Sequence, residues 1–219
     1  MVPVRRRTII TVAALLSGMA AFLCAAHYAA VSWPSLANQP EMARPLRLDR
    51  PDSFGRWFIV ALLAGSAGAS LLIYQLRRYR IDDFHGRYRL WRLVLVVLVL
   101  ASVNSLVSIL DWSGALLDTA FGKRVALSGQ DWIRLVVSIG GAVLAIRLIA
   151  EVRRSRFSLG MMILAFGVLA IPQAANWNVL AVDTLLSWTA VTSAPLVAST
   201  ALFISLGGYL RMLYREVRQ

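Results

Sequence analysis

The sequence predicts an all-α fold: a polytopic membrane helix bundle of about six transmembrane helices, with both termini on the cytoplasmic side. Three observations predict it. The apolar residues gather in blocks of about 20, the length that spans a hydrocarbon core of roughly 30 Å. Arginines crowd into alternate gaps between the blocks, and tryptophan and tyrosine rings sit at the block ends. With 58% hydrophobic and only 16% charged residues among 219, the chain departs from a soluble domain, which carries roughly 25% charged residues. A soluble core has no use for so many uniformly apolar helices. A single transmembrane domain over 1–219 is expected.

Thr8 to Val31 is apolar almost throughout and follows Arg5, Arg6 and Arg7. The run exceeds the roughly 7–15-residue apolar core of a signal peptide, so an uncleaved first span over 8–31 is expected; cleavage near Ala26–Ala30 is the alternative. Cys24, the lone cysteine, reads as a small packing residue and allows neither an internal disulfide nor a cysteine-based zinc site. Pro34, Pro40, Pro45 and Pro51 forbid a continuous helix over 32–56. Asp52 or Ser53 can cap the second span, 57–76, where Ala61, Gly65 and Ala69 form a stripe that lets another helix approach closely.

Residues 77–92 are the most polar stretch, and the third span follows over 93–110. Beyond it, Leu116, Leu117, Ala120 and Phe121 have helical spacing and predict a short interfacial helix ended by Gly122. Ser128 followed by Asp131 resembles a capping box and opens the fourth span, 132–150. The fifth span, 157–174, is expected to be interrupted by Pro172, and the sixth, 184–210, to be kinked by Pro195.

Charge orients these spans. The proposed cytoplasmic segments hold 15 arginines, against six cations in the opposite loops, and cations are hard to translocate. Every tryptophan falls near a span end: Trp33, Trp57, Trp112, Trp132, Trp177 and Trp188 on the outer side, and Trp91 on the inner. The net charge of +12 rests on arginine, with Lys123 the single lysine. That bias suggests a GC-rich bacterial genome and a bacterial cytoplasmic membrane. Arginines beside apolar blocks favour anionic lipid headgroups as partners over nucleic acid.

Few residues invite a chemical reading. Arg147 lies three residues from the inner boundary and is expected to snorkel inward and pair with Glu151, one helical turn on; an anionic-substrate site is the sharper alternative. Arg134, Ser138, Gly141 and Ala145 share one helix face. Asp111 sits near the depth of Arg134, which suggests an ion pair between neighbouring spans, with an ion pathway as the alternative. Asn104, Ser108 and Asp111 share a face of the third span, as helix glue or as a polar lining. Arg77, Arg78, Arg80, Arg87, Arg89 and Arg92 are the expected anionic-lipid contacts. Among them, Asp82, Asp83 and His85 read as a self-paired loop rather than a metal or acid–base centre. His27 lies toward the opposite face, so the two histidines form no dyad.

No catalytic residue, metal site or cofactor is expected. The sequence points to a non-enzymatic membrane module or complex subunit, associating with itself or with another membrane protein through its small-residue stripes. A small-solute or ion transporter or channel is the alternative, with Asn104, Asp111, Arg134 and Arg147 on its path.

Overall fold

The computed structural model describes residues 6–78, 88–121 and 128–217. All regular structure among them is helical: α1 (Arg6–Ser32), α2 (Pro34–Ala37), α3 (Pro40–Ala43), a 3-10 turn (Arg44–Leu46), α4 (Phe54–Arg78), α5 (Tyr88–Val107), α6 (Ile109–Phe121), α7 (Gly129–Val152), α8 (Arg156–Asn176) and α9 (Leu185–Val217). Six of these, α1, α4, α5, α7, α8 and α9, are long and apolar enough to cross a membrane. The fold is therefore a multi-pass membrane helix bundle. Its loop end holds the close of α1 and the start of α4; its arginine-rich end holds the close of α4 and α7.

Most boundaries follow from capping chemistry. The prolines of the first loop confine it to short helical turns. The Ser53 hydroxyl accepts from the Arg56 N–H at 3.2 Å and opens α4. Ser128 accepts from the Asp131 N–H at 3.2 Å and donates to the Asp131 carboxylate at 2.7 Å, an N-cap in which the aspartate meets the serine hydroxyl rather than the Ser128 backbone N–H of a full capping box.

Two boundaries correct the expectation. The third span was expected to run to residue 110, yet α5 stops at Val107, because Ser108 turns to a left-handed φ of 49°. The reversal is held by Asn104, whose side-chain oxygen accepts from the Leu110 N–H at 2.9 Å in the first turn of α6. Asn104 thus caps the first turn of α6, and Asp111 lies on α6 instead of α5. Asn104→Ala should destabilise the fold by about 1 kcal/mol in detergent unfolding titrations. Ser105→Ala should be near neutral, since the Ser105 hydroxyl only back-bonds to Ala101 in its own helix. The second correction is α8, which runs unbroken through Pro172. Inside an apolar helix the carbonyl freed by proline can be re-satisfied locally, so the ring does not end the span. α9 likewise continues through Pro195 and reaches Val217.

α9 is the hub. It packs along α8 and α4 and against the loop-end half of α1, while α5 packs on α4. Half of the most apolar stretch of α9 is buried against other helices, but only 11% of that of α1 and of α7. Small residues permit the close contacts: Gly65 of the predicted stripe faces the Phe203 ring, Ala69 is buried, and Gly208 sits against Ser158 and Phe157. The larger core lies toward the arginine-rich end and joins Ile73, Trp91, Val94, Leu148, Val152, Met162, Leu206 and Tyr209. The smaller lies at the loop end, where Leu48 descends among Ala20, Leu23, Ile59 and Leu196. Cys24 packs against that cluster, as a small apolar filler should.

Candidate functional site

Two polar clusters stand at opposite ends of the bundle. At the arginine-rich end four helices converge. Arg77, in the last turn of α4, forms an ion pair with Glu151 of α7, and both side chains are about nine-tenths buried. The Arg77 guanidinium also lies over the Tyr209 ring of α9, 5.8 Å from its centroid. Trp91 of α5 stacks on that ring at 5.5 Å and is wholly buried, and the Tyr209 hydroxyl reaches the Glu151 carboxylate at 3.5 Å. Each charge has its counter-charge within the protein, which is how a bilayer tolerates a buried carboxylate.

This arrangement changes several expectations. Glu151 meets Arg77 rather than Arg147, and Arg147 lies on an exposed face of α7. Arg77 is drawn into the bundle, away from the lipid headgroups assigned to it. Trp91 is a core ring instead of an interfacial one, because the α4–α9 packing places Tyr209 beside it. Arg78, Arg89 and Arg92 remain exposed, as do Arg153, Arg154 and Arg156. Arg80, Arg87, Asp82, Asp83 and His85 lie outside the described residues.

At the loop end, Asp111 and Arg134 are not brought together. Arg134 instead faces Asp131 at 3.7 Å, one turn earlier on its own helix, and Asp111 is exposed on α6. Ser138 meets α8, 3.3 Å from the Gln173 side-chain oxygen and 3.4 Å from the Trp177 indole nitrogen, while Gly141 of the same stripe faces open space.

The second cluster surrounds His27, which is wholly buried in α1. Its Nδ1 accepts from the backbone N–H of Leu48 at 3.2 Å, and its Nε2 lies 3.2 Å from the Thr192 hydroxyl of α9. Thr192 in turn donates to the Trp188 carbonyl at 2.5 Å, and the Trp188 ring sits 5.3 Å from the imidazole. Next to this knot, Arg47 grips Asp49 through two bonds of 3.0 and 2.8 Å. Burial alone would raise the Asp49 pKa, but the hydrogen bonds and charge of Arg47 outweigh it and hold the carboxyl below its ordinary value. The same bond raises the Arg47 pKa.

Sequence reasoning missed both clusters. A histidine inside an apolar block was the available signal at one end, and a lone carboxylate at the depth of the Arg77–Arg78 pair at the other. The chain matches no protein-family model, and comparison with curated proteins and with solved structures returns no match. Chemically, the arginine-rich cluster is a charge-neutral brace between helices, and the His27 cluster is a hydrogen-bonded anchor for the first loop.

Proposed function

We propose that this chain is a non-enzymatic subunit or module of a membrane complex, oriented with both termini in the cytoplasm of a bacterial cell. The observation that carries this reading is the uneven packing. α4, α5, α8 and α9 pack extensively on one another, whereas α7 joins their core only at its arginine-rich end, through Leu148, Glu151 and Val152, and otherwise leans on α6 and touches α8 lightly. The free face of α7 presents Val136, Ile139, Val143 and Ile146 outward, each at least half exposed. An apolar span that rests on so little of its own chain is suited to meet a second membrane-embedded helix. The exposed arginines at one end of the bundle suit an anionic leaflet, and they support the cytoplasmic placement of that end.

The polar side chains of α9 add nothing to the transporter reading. Thr189, Thr192, Ser193, Ser199 and Thr200 lie along one side of the helix, but Ser205 and Tyr209 lie about half a turn away at 100° per residue. Most of these hydroxyls bond back to carbonyls of their own helix. They are helix-internal bonds rather than a lining.

A cross-linking and flux pair tests the proposal. In a Cys24→Ser background, a cysteine at Val136 or Ile139 should be trapped in a cross-linked species in native membranes, and proteoliposomes should leak protons and small ions no faster than protein-free vesicles. Flux that is lost in a folded Asp111→Ala or Arg134→Ala variant would install the transport reading in its place.

A further inference from the structure

We propose that His27 is an acid-released latch for the loop between α1 and α4. Leu48 inserts its side chain into the loop-end core, and its backbone N–H is held by His27 Nδ1. Gly55 makes room beneath it: a Cβ there would lie 1.8 Å from the Leu48 Cδ2. Nδ1 must therefore be an unprotonated acceptor, and Nε2 carries the ring proton and donates it to Thr192, whose own hydroxyl hydrogen is committed to Trp188. A second ring proton can reside only on Nδ1. There it would face the Leu48 N–H donor to donor, so the doubly protonated ring and the docked loop exclude each other. The proton then acts as a ligand of the undocked state alone, and acid shifts the population toward it.

The surroundings do not relieve this conflict. From the loop, the charged groups that reach the ring are Asp49 and Arg47, which form a pair without net charge. From α9 come Thr192 and Trp188, neither of which titrates. α4 contributes Gly55 and Ile59 beneath Leu48. On α1 itself, Cys24 lies one turn away and is engaged with Ser193. The carboxylate of Asp49 belongs to a separate, more acidic window. Its lowered pKa means that its contribution is present above about pH 4 and lost as the pH falls through the folded value.

Hydrogen exchange of the segment around Leu48, in lipid nanodiscs and corrected for intrinsic rates, reads the latch. Between pH 7.5 and pH 5.5 the wild-type loop amides should gain about tenfold in opening, the change expected for one imidazole of ordinary pKa exposed on release. His27→Asn can offer the Leu48 N–H a side-chain carbonyl that does not titrate, and its loop should be pH-independent. Asp49→Asn should keep the acceleration. Ring nitrogen NMR of the wild type supplies a readout that needs no variant: the second ring proton should appear over the same pH range as loop opening. A pH-indifferent wild-type loop would overturn the proposal. So would acceleration that persists in His27→Asn, or loop opening while the ring keeps a single proton.

Discussion

Replacing Arg77 with alanine should cost the bundle about 3–5 kcal/mol, the loss expected when one partner of a buried ion pair is removed. The magnitude follows from what is left behind. Arg77 and Glu151 are 11% and 10% exposed, so removing the guanidinium takes the counter-charge from a carboxylate that the helices largely shield from water. Glu151→Ala should be destabilising in the same way, since it strands a guanidinium over the Tyr209 ring. The double variant with leucine at both positions removes the two charges together and should recover much of either single loss, because a buried pair barely outweighs its own desolvation. Arg77→Lys keeps the charge but loses the planar group stacked on Tyr209, and should fall between wild type and alanine. Unfolding by SDS titration in mixed micelles measures all four. Single losses that simply add up in the double variant would show that the two residues do not act on each other.

The pair also illustrates what the sequence could and could not reveal. Hydropathy assigned the depth of each charged residue along its helix, and it placed Arg77 and Glu151 at one end and Asp111 and Arg134 at the other. Depth does not say which helices are neighbours. The packing of α4 and α8 on α9, with the end of α7 brought in beside α8, decides that, and it brings Glu151 to Arg77 while leaving Asp111 on a separate short helix. The break at Ser108 was equally hidden, because Val107, Ile109 and Leu110 continue the apolar run, and only the reach of the Asn104 side chain reveals the stop. Pro172 misled in the other direction, since a breaker in water is tolerated within an apolar span. The His27 anchor depends on the fold of a proline-rich loop, for which hydrophobic periodicity carries no information. By contrast, Ser53, Ser128 and Asp131 were legible because capping is local chemistry over four residues.

Gly129→Ala is the second substitution with a large expected effect, and it acts on the joint between α6 and α7. A Cβ at Gly129 would lie 2.3 Å from the Gly114 carbonyl oxygen, 2.9 Å from the Leu117 Cβ and 3.0 Å from the Asp118 nitrogen. None of these atoms belongs to the end of a flexible side chain, so the backbone of α6 must retreat. Retreat also stretches the 2.6 Å bond from the Gly129 N–H to the Asp118 carboxylate. The combined cost should be about 1–3 kcal/mol, typical of overpacking. Gly114→Ala should cost less, because its nearest obstacles, the Gln130 Cγ, Cα and nitrogen at 2.9, 3.0 and 3.1 Å, ask for a smaller retreat than the 2.3 Å approach at Gly129. Gly140 and Gly141 are the internal controls. A Cβ at either meets nothing within 4 Å, so alanine there should be neutral or should stabilise the isolated chain, by up to about 1 kcal/mol. The same controls bear on the role of α7. If its open face receives another membrane helix, alanine at Gly140, one turn from Val136 and on the same side of α7, should leave the purified monomer intact yet weaken cross-linking from Val136 in native membranes; a face that meets only lipid would leave both measurements unchanged.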